Sequence, residues 1–341
     1  MLATLVTAVI SGLRGELVRV EVDVAPGLPI CHIVGLPDAA LSEARERVRS
    51  AIRNAGFEYP LSRITVNLAP ADRRKHGAAY DLAIGVGILV ASGQIAASSG
   101  SWALLGELSL GGGVRPVPGV LPMVATLVRA GFRRVAVPSA NVAEAELVAG
   151  VEVAGVDGLD DAARLVAGPR GRRAAAASRR ASVQVSVVAE ESSRNAAGEQ
   201  SETAASSTGG GRSENAAWPS GGGQPPHAGA VDLADVRGQA HARWALEVAI
   251  AGGHNLLLIG PPGAGKTLLA RTIPGLLPPL DDAEALEVTV IESVAGTLRE
   301  PGLRRRRPFR SPHHTISYAA LVGGGPRIAP GEVTLAHPRV C

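Results

Sequence analysis

One string constrains this chain more than any other: Gly260-Pro261-Pro262-Gly263-Ala264-Gly265-Lys266-Thr267. It fits the spacing G-x-x-x-x-G-K-[ST] at every position. Before it, His254-Asn255-Leu256-Leu257-Leu258-Ile259 is a short apolar run, the length expected of a buried parallel strand. After it, Leu268-Leu269-Ala270-Arg271-Thr272-Ile273 reads as the start of a helix. Glycines let a loop in this setting turn its backbone N–H groups inward, where a Cβ would clash. The helix N-terminus adds partial positive charge at the same point. Such an arrangement suits the phosphates of a nucleotide. Lys266 would reach the β- and γ-phosphates, and the Thr267 hydroxyl would bind Mg²⁺. The candidate nucleotide-binding residues are therefore Gly260, Pro261, Pro262, Gly263, Ala264, Gly265, Lys266, Thr267 and Leu268, with ATP and Mg²⁺ as cofactors. The competing reading is a glycine-rich turn followed by a surface lysine.

The rest of the composition sets bounds. The chain has 341 residues, enough for about two domains. Hydrophobic residues make up 46% and aromatic ones 3%, so its cores must be built from Val, Leu, Ile and Ala. The net charge of +3 decides nothing about a nucleic-acid partner. Cys31 and Cys341 form neither a disulfide framework nor a zinc site, and the reading is a reducing, cytoplasmic compartment. Met1 to Leu13 is apolar but lacks a basic leader, so no signal peptide is expected. The longest apolar stretch, Leu82 to Val90, is far short of the ~20 residues that a membrane helix needs.

Residues 1–167 read as one α/β unit. Leu17–Val24 alternates as a half-buried strand does, and Ile30–Val34, Arg63–Leu68, Ala103–Leu108, Arg134–Val137 and Val151–Val156 are further strands. Helices are expected from an Asp38 cap to about Asn54, over Asp81–Ser92, Pro122–Ala130 and Asn141–Val148. The second of these is apolar nearly all round and should lie at the centre of the core. Residues 168–230 are rich in Ser, Gly and Ala and read as a disordered linker. Its arginines, Arg170, Arg172, Arg173, Arg179 and Arg180, suit a solvated tether better than a nucleic-acid contact. Residues 231–341 open a second domain, with a helix over Gln239–Ala251 and a second strand over Leu286–Ile291.

Several strings carry a family resemblance. Asp235-Val236-Arg237-Gly238-Gln239, Gly252-Gly253-His254-Asn255, the glycine loop, and Arg307-Pro308-Phe309-Arg310-Ser311-Pro312-His313-His314-Thr315-Ile316-Ser317 resemble magnesium-chelatase-like AAA+ ATPases of the YifB/ComM type. Gly35-Leu36-Pro37-Asp38, Arg45-Glu46-Arg47-Val48-Arg49-Ser50-Ala51, Thr65 to Asp72 and Gly106-Glu107-Leu108-Ser109-Leu110 are similar to the N-terminal domain of the same proteins. The resemblance implies a P-loop NTPase (AAA+) domain that is incomplete here, behind a ribosomal-S5/Lon-protease-like α+β domain. It also implies a ring, hexameric in the family, that hydrolyses ATP and works on DNA in competence and branch migration. Lon proteases carry a Ser–Lys dyad. The matching positions here are Ala79 and Leu121, so the dyad is missing. Lys75 and His76 read as a solvated loop.

In the family, a segment like Gly331 to His337 leads into a strand ending in Asp-Glu, the Walker B element that supports Mg²⁺ and orients the attacking water. Here the sequence reads Pro338-Arg339-Val340-Cys341. The expectation is a chain truncated before that element, which binds nucleotide and hydrolyses it poorly. Glu292 and Glu332 are weighed as substitute bases, and His313 with His314 as a metal pair disfavoured by their adjacency. Arg304, Arg305, Arg306, Arg307 and Arg310 are the candidates for contact with a DNA backbone, against a plain solvated loop. Two other functional readings stand beside the ATPase: a non-catalytic interaction module, and a Lon-like protease that Ala79 and Leu121 argue against.

Overall fold

The computed structural model describes residues 1–34, 39–70, 77–96, 102–168, 231–298, 302–313, 315–324 and 329–337. The Asp38 cap, Lys75, His76, His314 and the arginines of the expected linker lie outside the described residues.

The N-terminal part is built on a mixed, mostly parallel sheet of seven strands. Strand β1 (Leu2–Ser11) and strand β2 (Arg14–Ala25) form a hairpin in register from Leu2↔Asp23 to Ser11↔Arg14. The other strands of the sheet are β3 (Cys31–Val34), β4 (Arg63–Ala69), β5 (Ala103–Leu104), β8 (Arg134–Pro138) and β9 (Glu152–Val156). Their order across the sheet is β3-β4-β2-β1-β5-β8-β9. Sequence reading assigned no strand to Leu2–Ser11. That run carries apolar residues on both sides, so its sequence lacks a clear alternation, although Leu2 and Thr4 are exposed and both faces are buried only around Ala8 and Val9.

Alternation reappears in where the side chains go. Leu5 and Val9, Leu104 and Ala136 enter one apolar cluster, while Ala8, Ala103, Leu105, Val135 and Val137 enter another. Helices cover both faces. Helices α1 (Ala39–Asn54), α2 (Asp81–Ala91) and α5 (159–168) lie on the first. Helices α3 (Val120–Arg129) and α4 (Val142–Ala145) lie on the second. All eleven residues of α2 are buried, as expected of a helix apolar nearly all round, and its one charged residue, Asp81, is buried with the rest. It runs so close to the sheet that a Cβ on Gly87 would stand 2.7 Å from Val22 Cγ2. The expected strand Ala103–Leu108 is broken at Gly106, whose φ is +157°. Beyond the break, β6 (Glu107–Leu108) pairs with β7 (Val114–Arg115) in a separate ribbon.

The main regular elements of the C-terminal part are helices: α6 (Ala240–Gly252), α7 (Lys266–Leu276), α8 (Asp282–Val294), α9 (Tyr318–Val322) and α10 (Glu332–Leu335). A short pair, β10 (Gly323–Gly324) with β11 (Ala329–Pro330), completes it. Two strand expectations are corrected. Leu286–Ile291 lies inside α8. The Asp281 side chain caps this helix by accepting from the N–H of Glu284 at 2.8 Å, and acidic residues fill its first turn. Its buried residues Ala285, Val288 and Ile291 recur at helical spacing. Its β-branched residues are what suggested a strand. Residues 254–259 form no regular element and join no sheet among the described residues, and Leu257 and Ile259 are 81% and 84% exposed. A strand needs a neighbour for its N–H and C=O groups. Among the described residues, no helix is long and apolar enough to cross a membrane.

Candidate nucleotide-binding site

The glycine loop takes the shape its composition allows. Gly263 and Gly265 both have φ of +82°, the left-handed region that residues with a Cβ avoid. Nothing lies within 4 Å of a Cβ built on either one. The need for glycine here is conformational, since neighbouring atoms leave room. Gly265 is the N-cap of α7, and its carbonyl receives the N–H of Leu269 at 2.9 Å. The loop therefore feeds straight into the head of an eleven-residue helix, whose first N–H groups have no partner within the helix.

Lys266 is the first residue of that helix. Its ammonium folds back and donates to the carbonyls of Gly260 and Pro261, 2.7 Å each. The cation is thereby held inside the loop. Thr267 and Leu268 are exposed beside it. The loop rests on a small apolar cluster of Leu233, Val236, Leu246 and Leu269, joined by the partly buried Leu258, Ile250 and Ile273. Each buried aliphatic side chain contributes roughly 1.5–3 kcal/mol, so the loop's footing is modest beside the N-terminal core.

Gln239 reaches the loop although motif spacing did not single it out. Its Nε2 donates to the carbonyl of Ala264 at 3.3 Å. Its φ of +53° is the single positive value at a non-glycine position among the described residues, and it follows Gly238 at +71°. Strain of this kind persists where surrounding structure enforces it. The Gly238-Gln239 pair in the resemblance strings was the available signal.

The other candidates are accounted for by their partners. Glu292 accepts from Arg304 Nε at 2.7 Å. Glu332 accepts from Arg310, which holds its carboxyl below the ordinary carboxylate range. Arg305 Nη1 stands 2.7 Å from Asp282, and Arg307 Nη2 stands 3.0 Å from Glu284. His313 Nδ1 is 2.7 Å from the Thr315 hydroxyl. No group of three metal-ligating side chains forms among the described residues. Ala79 and Leu121 are both buried, and Ala79 lies in an apolar cluster. A cleft of about 1010 Å³ is lined by Ile250, His254, Ile273, Leu277, Arg307 and His337, among others. It lies at the far end of residues 254–259 and of α7, away from the glycine loop, so it is not the phosphate site.

Comparison with known proteins identifies the family. Residues 232–341 match the family described as magnesium chelatase, subunit ChlI, and residues 20–141 match the family described as subunit ChlI of Mg-chelatase. A protein of Mycobacterium tuberculosis strain H37Rv is 44% identical over 336 residues, covering 96% of this chain and 57% of that protein. YifB of Escherichia coli K12 is 39% identical over 327 residues, 96% of this chain and 56% of YifB. Competence protein ComM of Haemophilus influenzae is 37% identical over 326 residues, 95% of this chain and 56% of ComM. The α/β fold and these matches define a magnesium-chelatase-like protein. Within that class, the chain belongs to the YifB/ComM family. It spans a little over half the length of these relatives.

Proposed function

We propose that the C-terminal part, from residue 231 onward, binds ATP with Mg²⁺ through Gly260–Leu268. The observation that carries this is the loop itself, with two left-handed glycines and the Lys266 ammonium held at the head of α7. Lys266 would exchange its two carbonyl partners for phosphate oxygens. Thr267 would offer its hydroxyl to the metal, and the N–H groups opening α7 would face the negative charge. Mg²⁺ would neutralise charge building on the phosphates.

Within residues 1–341, turnover should be slow. Glu292 and Glu332, the carboxylates weighed as bases, are each committed to an arginine. A base must reach the attacking water directly. In the complete protein, the kinship with a competence protein supports a DNA-associated, ring-forming ATPase, cytoplasmic and built on a divided chain with domains at 1–167 and 231–341. Titration of the purified chain with Mg·ATP, alongside turnover on the same sample, tests the proposal. Saturable binding that Lys266→Ala abolishes is the expected result. Equal binding by that variant would refute it. Rapid Mg²⁺-dependent hydrolysis lost in the variant would refute only the slow-turnover part.

A further inference from the structure

Helix α3 is capped at its N-terminus by Gly119, which has no side chain to receive the helix's first N–H groups. Glu144, from α4, does this from outside: its Oε1 accepts from the N–H of Leu121 at 2.9 Å. Its Oε2 accepts from Asn141 Nδ2 at 3.1 Å. Asn141 is buried and brackets Val117, donating to its carbonyl at 3.2 Å and accepting from its N–H at 3.1 Å. These bonds fix the loop ahead of α3 and leave Glu144 Oε1 facing outward as an acceptor.

The end of α8 occupies that place. The Ser293 carbonyl accepts from the N–H of Gly119 at 2.9 Å, and the Ser293 hydroxyl donates to Glu144 Oε1. Ser293 is buried, although it sits in the opposite half of the chain. The negative end of one helix dipole therefore meets the positive end of another, with a carboxylate shared between them.

The other side of α8 leads toward the glycine loop. Arg304 bonds Glu292 through its side chain, and its N–H donates to the Thr289 hydroxyl at 2.9 Å. Arg307 joins Glu284 to the Pro278 carbonyl, and the N–H of Leu280 donates to the Arg305 carbonyl at 2.8 Å. The turn between α7 and α8 is thus tied to α8, and α7 starts at Lys266. Bonded elements run without a gap from the phosphate loop to Glu144.

We propose that Glu144 is a positioning residue for the loop: docking of Ser293 on Glu144 is coupled to nucleotide binding, so the N-terminal sheet unit sets the affinity of the loop. This rests on the nucleotide reading above. Coupling between two binding equilibria is reciprocal. Nucleotide must therefore change the docking, and loss of docking must change affinity by the same factor.

The test uses the whole 341-residue chain with a non-hydrolysable Mg·ATP analogue. Exchange at the amides of Gly119 and Leu121 should change on adding nucleotide, and Ser293→Ala should shift the dissociation constant by about fivefold or more. Glu144→Gln should do the same, with no further shift in the double variant, and Ser293→Thr should restore the native value. Dissociation constants within about twofold of native in both single variants, with amide exchange that ignores nucleotide, overturn the coupling. Binding that Lys266→Ala abolishes would then show that the nucleotide reading survives. Absence of any binding to the native chain overturns both.

Discussion

Arg310 and Glu332 face each other through two parallel hydrogen bonds of 2.6 Å, Nε to Oε2 and Nη2 to Oε1. This fork geometry tethers the start of α10 to the string Arg307–Ser317 that carries the family resemblance. Arg310 holds the Glu332 carboxyl below the ordinary range. The stabilisation is present above the usual carboxylate pKa and is lost as the pH falls through the depressed value. The pair is partly exposed, so Glu332→Gln should cost on the order of 1 kcal/mol or less. Thermal melts at pH 6 and pH 3.5 check it, and the gap between native and variant should shrink at the lower pH. A gap independent of pH would contradict the pairing.

The arginine run divides by exposure. Arg304 and Arg307 side chains are 15% and 13% exposed and turn toward α8, whereas Arg305 is 50% exposed. If this surface meets a DNA backbone, Arg305→Ala should reduce the salt dependence of binding by about one charge. Arg304→Ala should instead lower the melting temperature, because it leaves Glu292 without its partner. Equal effects of the two substitutions on DNA binding would refute the division.

Lys266→Ala and Gly265→Ala should fail differently. The first removes charge and should abolish nucleotide binding with little change in folding. The second places a Cβ at φ +82° with no atom within 4 Å, so its effect is backbone strain on the order of 1–2 kcal/mol. Binding and thermal stability measured together separate the two.

Asp81 is fully buried and bonds Arg47 Nε at 2.9 Å and Nη2 at 3.3 Å. Burial outweighs the arginine and pushes its carboxyl up to about 7. Between the ordinary carboxylate range and that value the folded chain holds a proton that the unfolded chain has lost. The resulting contribution is complete at low pH and disappears as the pH rises through about 7. Relative to Asp81→Asn, the native chain should lose stability from pH 5 to pH 8. A constant difference would show that Asp81 does not titrate in this window.

Two leucines of equal hydrophobicity should behave oppositely. Leu89 is fully buried in α2, and Leu89→Ala should cost about 2–5 kcal/mol. Leu257 is 81% exposed, and Leu257→Ser in this chain should be close to neutral. Denaturant midpoints for the two variants check this.

Much of the fold was legible where one residue type dominated a local decision. The apolar run of α2 demanded burial on all sides, and the glycine loop demanded left-handed turns. Legibility failed where two readings share one pattern. The run Leu286–Ile291 has the β-branched residues of a strand and the i, i+3 burial of a helix, and the Asp281 cap decides between them. Leu2–Ser11 is apolar on both faces, so period-two alternation is hidden there.

The sequence by itself determined the glycine-loop motif and the family, because both depend on residue identity at fixed short spacing. It also determined that Ala79 and Leu121 cannot act as nucleophile and base. Only the tertiary structure decided that the arginines at 304, 305, 307 and 310 face carboxylates, that Gln239 reaches the loop, and that Ser293 docks on Glu144 across 149 residues of chain. Those outcomes depend on which helix ends and side chains meet in space. Contacts between residues so far apart leave no periodic mark in the chain.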